Sequence, residues 1–175
     1  MIVVVAGVAG SGKSTVGQLL AQRLGWQFED GDSLHPAANI AKMRAGHPLT
    51  DADRQPWLAA MRSWMDDVHA SGRSGVLACS ALRRNFREQL LGGRDDAVMV
   101  FLTITEQQCQ DRLRTRRGHF FGAPLLASQF ALLEPPDPAE RQVHEVATDD
   151  GPPGELVTKI IKLLGVAPSA GQPAT

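Results

Sequence analysis

The octapeptide Gly7-Val8-Ala9-Gly10-Ser11-Gly12-Lys13-Ser14 follows the pattern Gly, four residues, Gly, Lys, Ser/Thr. Glycines let backbone N–H groups turn inward around phosphate oxygens where a β-carbon would block the approach. Lys13 adds a positive charge and Ser14 a hydroxyl able to ligate Mg²⁺. Gly7, Gly10, Ser11, Gly12, Lys13, Ser14 and Thr15 are therefore expected to bind the phosphates of a nucleoside triphosphate.

A second constellation, Asp30-Gly31-Asp32, closes an apolar segment. Carboxylates at i and i+2 of a strand end point the same way, toward the ligand crevice of a parallel sheet. Asp30 is expected to hold Mg²⁺ through water, and Asp32 to orient a substrate hydroxyl and accept its proton. The alternative is an ordinary acidic turn around Gly31. His35, just beyond, reads equally as a substrate contact or as a hydrogen-bonding group at a helix entry. Ser80, Arg83 and Arg84 follow a third apolar run, and a guanidinium there can grip a substrate carboxylate bidentately. Arg87 is expected to face solvent.

A third cluster runs from Arg112 through Arg114, Arg116 and Arg117 to Gly118, His119, Phe120, Phe121 and Gly122. Arginines, hinge glycines and a water-excluding Phe pair suit a lid near 116–123 that closes over a transferring phosphoryl group. Arg112 and Arg116 share a helix face at i, i+4 and are the preferred pair. A solvated basic helix end is the plainer reading.

These groups need a frame. Apolar segments near 2–6, 26–29, 75–79, 97–102 and 142–147 alternate with helix-like stretches, which predicts an α/β fold with a five-stranded parallel sheet flanked by helices. Ile2 to Ala6 is apolar without alternation, as in a strand buried on both faces, and Val16, Leu19, Leu20 and Leu24 fall at helical spacing behind the glycine turn. The phosphates would then meet a helix N-terminus. Thr50 to Asp53 supplies a cap and acids for a helix carrying Trp57, Met61, Trp64, Met65 and Val68 as core, with Pro56 obscuring its start. Thr105-Glu106-Gln107-Gln108 matches a capping box.

With 175 residues, one domain over 1–165 and a flexible tail over 166–175 are expected. Eighteen Lys and Arg against 19 Asp and Glu give no sign of a general nucleic-acid binder. Cys79 and Cys109 show no metal-ligand spacing and suit reduced thiols in a cytoplasmic protein. No stretch approaches the ~20 apolar residues of a membrane span.

Taken in order, the glycine octapeptide, Asp30-Gly31-Asp32 with His35-Pro36, Asp51-Ala52-Asp53-Arg54-Gln55-Pro56-Trp57, Cys79-Ser80-Ala81-Leu82 and Gly118-His119-Phe120-Phe121 resemble the gluconokinase family. The resemblance extends to about residue 150. It implies a P-loop fold like that of the nucleoside monophosphate kinases, ATP-dependent phosphorylation of D-gluconate to 6-phosphogluconate, Mg²⁺ dependence and a homodimer. It also implies Lys13 on the phosphates and Asp32 facing the gluconate hydroxyl, with Arg54, Arg83, Arg84, Ser80, His35 and His119 as further substrate-side candidates. The chain departs from the family at Ala147 to Pro153, where the usual Asp-Ile-Asp-x-Pro ending is missing. Shikimate kinases, with a triple glycine after the third strand, and adenylylsulfate kinases, without the Gly-His-Phe-Phe segment, fit less well. A nucleotide-switched binding protein is the reading from another class.

Overall fold

β1 (Ile2–Ala6) is buried along its whole length, and in the computed structural model it forms the middle of a five-stranded sheet. The structure describes residues 1–115, 123–148 and 151–167. β2 (Gln27–Asp30), β3 (Gly75–Cys79), β4 (Ala97–Thr103) and β5 (Val143–Ala147) complete the order β2-β3-β1-β4-β5, with every pairing parallel. Each strand begins and ends within one residue of its expected segment.

The alternation of β1 divides the core. Ile2, Val4 and Ala6 face a layer that includes Trp57, Met61 and Met65 from α3 (Asp51–Ala70) and Phe86 and Leu90 from α4 (Arg84–Leu91). Val3 and Val5 face Val16 and Leu20 of α1 (Lys13–Leu24) and Val157 and Ile160 of α7 (Pro153–Leu164). A strand so placed has no polar face to offer, which explains its unbroken apolar run. From β1 the chain crosses to β2 and returns through β3, then continues on the other side through β4 and β5. The strand order therefore reverses beside β1, and a crevice opens at the carboxyl ends there.

α2 (Ala37–Arg44), α5 (Glu106–Thr115) and α6 (Ala123–Leu132) complete the helices among the described residues, with a short 3₁₀ helix at Gly31–Leu34. Both expected caps form. Thr50 Oγ1 accepts from the Asp53 amide while the Asp53 carboxylate accepts from the Thr50 amide, and Thr105 and Gln108 make the same reciprocal pair. Pro56 lies inside α3 rather than before it. The capping box starts the helix upstream, so the proline falls beyond the first turn, where it removes the hydrogen bond to the Ala52 carbonyl and crowds that carbonyl with its ring.

Arg87 contradicts its expected exposure. Its side chain is 1% accessible and makes a bidentate pair with Glu140, with both distances 2.7 Å. It also donates to the carbonyls of Leu82 and Glu134. A guanidinium can be buried when its donors are satisfied, and here Glu134 and Glu140 come from some 50 residues downstream. Cys79 and Cys109 are buried free thiols. Among the described residues no helix is long and apolar enough to cross a membrane.

Candidate active site at the carboxyl edge of the sheet

The glycine octapeptide leaves β1 and enters α1. A β-carbon on Gly7 would stand 2.8 Å from both the Leu102 carbonyl oxygen and Ser11 Oγ, so the loop packs against the sheet edge only as glycine. Gly12 has open space around it but φ +94°, a conformation costly for side-chain-bearing residues. No side chain caps α1, which leaves its first N–H groups available to an anion. The Ser11 hydroxyl is buried and has no hydrogen-bond partner among the described residues.

Asp30 ends β2, and one of its carboxylate oxygens accepts the Asp32 amide at 3.1 Å. Asp32 lies in the 3₁₀ turn, not on the strand, so strand alternation does not aim the two carboxylates together. The turn is fixed instead by Trp57, whose buried indole N–H donates to the Gly31 carbonyl at 2.6 Å. The His35 ring stacks on the indole at 4.6 Å with a 9° tilt. Burial pushes the His35 pKa down, Asp32 opposes that shift, and Arg54 adds to it, so the imidazole favours its neutral form. The Asp32 carboxylate accepts no hydrogen bond from a described residue, and its side chain borders a cavity of about 260 Å³.

That cavity gathers Lys13, Asp32 and Ser80 at the sheet edge, with Arg54 and Arg83 along its wall. Arg54 donates to the Leu49 carbonyl at 2.7 Å, lies over the Phe86 ring at 5.7 Å, and shares Asp51 with Arg83. Burial lowers the Arg54 pKa, partly countered by Asp51 and reinforced by Arg83. Arg83 Nε is buried without a partner among the described residues. The turn that delivers Ser80 and Arg83 contains Ala81 at φ +37°, a strained position for an alanine, and the Ser80 carbonyl accepts the Gly7 amide.

Not every expected residue joins this group. Arg84 lies outside the cavity, pairing with Glu88 along α4 and bordering a separate hollow beside Arg87 and Glu140. Arg112 reaches Thr148 beyond β5, with contacts of 3.4 and 3.5 Å. The Cys109 thiol, pushed up to about 11 by burial, is pulled the other way by Arg112 and Lys13, which places α5 near the phosphate loop. Arg116 and His119, with residues 116–122 of the expected lid near 116–123, lie outside the described residues.

Several cavity residues carry no motif of their own. Gln129 of α6 accepts the Ala9 amide at 2.7 Å, and Arg44 and Phe86 line the walls. Trp57 reads from its spacing as core, and it is; its second role at Gly31 needs the tertiary structure to appear. His35 and Trp57 are 22 positions apart in the chain, too far for helical or strand periodicity to pair them.

The donor set also bears on a metal. Among the described residues no three His, Cys, Asp or Glu side chains gather as a metal cage. Asp30 retains one carboxylate oxygen beyond its bond to Asp32, and Ser14 brings a hydroxyl in the first turn of α1. So sparse a set of hard oxygens fits Mg²⁺ arriving with phosphates and water as its main ligands.

Similarity to known proteins agrees with this geometry. A shikimate kinase family model matches residues 9–164. The gluconokinase of Gluconobacter oxydans is 51% identical over 133 residues, which make up 76% of this chain and 75% of the relative. A probable gluconokinase of Rattus norvegicus is 40% identical over 93% of this chain and 97% of its own length. The crystal structure of a gluconokinase from Sinorhizobium meliloti superposes with a TM-score of 0.83 at 40% identity, covering 93% of this chain and 90% of the other.

Proposed function

The chain belongs to the gluconokinase family, and we propose that its cavity holds D-gluconate with the C6 hydroxyl at Asp32 and the carboxylate toward Arg54 and Arg83. The supporting observation is the convergence of a phosphate-loop lysine, an aspartate whose carboxylate accepts no hydrogen bond from a described residue, and two guanidiniums on one small cavity. A nucleotide on the glycine loop and a sugar acid in the cavity would meet at Lys13.

The reaction transfers the γ-phosphoryl group of ATP to gluconate. In the proposed mechanism the C6 oxygen forms the new bond to phosphorus, its proton passes to an Asp32 carboxylate oxygen, and the bond from the β,γ-bridging oxygen to γ-phosphorus breaks to release ADP. Lys13 and the α1 N-terminus balance the charge on the phosphates. Arg54 is held by the Leu49 carbonyl and Phe86, so little conformational freedom is lost when it meets a carboxylate. His35, neutral and stacked on Trp57, is a hydrogen-bonding partner for a sugar hydroxyl. Ser80 is a second. Mg²⁺, for which Ser14 and Asp30 are the fitting ligands, would neutralise phosphate charge when bound.

Arg112 and Arg116 remain the proposed lid-side cations, and His119 a substrate contact from the same segment. The homodimer rests on the family resemblance, the cytoplasmic location on two thiols without metal-ligand spacing, and one domain over 1–165 with a tail beyond it on chain length and composition.

The orientation is tested with Arg83→Gln, assayed on D-gluconate and on the uncharged polyol D-glucitol. Loss of a carboxylate contact raises the gluconate KM by roughly tenfold or more, leaves the ATP KM near wild type, and leaves turnover of glucitol, which offers no carboxylate, at the wild-type level. An equal loss on both acceptors contradicts the placement.

A further inference from the structure

Gln129 sits where the cavity meets the phosphate loop. Its Oε1 accepts the Ala9 amide at 2.7 Å, across 120 residues of sequence. That bond fixes the plane of the carboxamide and assigns its oxygen, because an N–H donor requires an acceptor. Nε2 is left with two hydrogens and makes no hydrogen bond to a described residue, while the side chain lines the same cavity as Lys13, Asp32 and Ser80. On this half-buried residue, an amide donor held in one orientation and without a partner among the described residues is matched to a ligand oxygen.

We propose that Gln129 is a specificity-determining residue of the transfer, donating from Nε2 to a secondary hydroxyl oxygen of the sugar acid near its reacting end. The inference rests on the reading that gluconate occupies this cavity. The carboxylate is assigned to Arg54 and Arg83 and the reacting hydroxyl to Asp32, so the oxygens left for a donor beside Ala9 are the hydroxyls between them. A donor anchored to the phosphate loop couples the placement of those hydroxyls to the loop that holds the phosphates. It thereby selects acceptors by their hydroxyls near the site of transfer, where a small displacement costs most.

The test uses Gln129→Ala and Gln129→Glu with the full-length protein. Glutamate keeps an acceptor for the Ala9 amide and nearly the same shape, but it replaces the donor with an anion. If Gln129 only braces the loop, Gln129→Glu behaves as wild type while Gln129→Ala is impaired. If it donates to substrate, both variants raise the gluconate KM about tenfold or more, the glutamate at least as much as the alanine. ATP affinity, titrated without gluconate, and melting temperature then stay near wild type in the glutamate variant.

Assays with the 3-, 4- and 5-deoxy gluconates locate the contact. One analogue loses its penalty relative to gluconate when Gln129 is alanine, and penalties unchanged on all three overturn the proposal. Wild-type protein with no gluconate turnover refutes instead the occupancy reading on which the inference stands.

Discussion

At the scale of single residues, Asp32 borders the cavity by a geometry other than the one its spacing from Asp30 predicts. Strand alternation predicts Asp30 and Asp32 side by side, yet Asp32 belongs to a 3₁₀ turn and Asp30 spends one oxygen capping it. Both remain at the crevice because the turn follows a strand that ends there. Asp32→Asn, which keeps the shape and loses the base, is expected to lower kcat by about 10²–10⁴ with ATP affinity nearly unchanged. Equal losses in both would make the residue structural. His35 supplies a pH signature. Its pKa is lowered from 6.5 in the folded chain, so below pH 6.5 the unfolded chain binds a proton that the folded chain refuses. The resulting stability is fully present above pH 6.5 and declines as pH falls toward the folded value. Urea midpoints at pH 7.5 and 5.5 should therefore drop more for wild type than for His35→Gln, and parallel drops would contradict the assignment.

At the scale of elements, the site depends on contacts between segments that local sequence does not join. Trp57 of α3 holds the Gly31 carbonyl at the end of β2. Trp57→Phe keeps most of the buried ring and removes the donor, so it is expected to destabilise the protein by about 1–3 kcal/mol and to lower turnover by loosening the turn that carries Asp32. Chemical denaturation and kcat together check it, and loss of stability with full turnover would detach Trp57 from the site. Thr50→Ala removes the α3 cap and should cost about 1 kcal/mol, read from the same denaturation curves. What the sequence showed and what it hid divide along this line. Strands, caps and the glycine loop are written in neighbouring residues, through apolar runs, side chains that reach three positions along, and glycine spacing. Trp57 to Gly31, Ala9 to Gln129 and Arg87 to Glu140 are separated by 26, 120 and 53 positions, and no local pattern encodes them.

At the scale of the whole molecule, Arg87 and Glu140 fasten α4 and the segment before β5 to one another behind the cavity wall. Glu140→Ala strands a buried guanidinium and should cost about 3–5 kcal/mol, whereas replacing both residues with apolar ones of similar volume should cost much less. The parallel sheet with its reversal beside β1 is shared widely among nucleotide-handling proteins, so the fold alone does not choose an acceptor. The choice of gluconate comes from the family and from the cavity. Gluconate-dependent ADP release by purified protein with MgATP, beside shikimate, adenylylsulfate, D-glucose and a no-acceptor blank, tests it most directly. Turnover with D-gluconate, giving a product heavier by one phosphoryl group carried on C6, is the predicted result. Efficient turnover with a different acceptor, or none that depends on gluconate despite tight ATP binding, would contradict it.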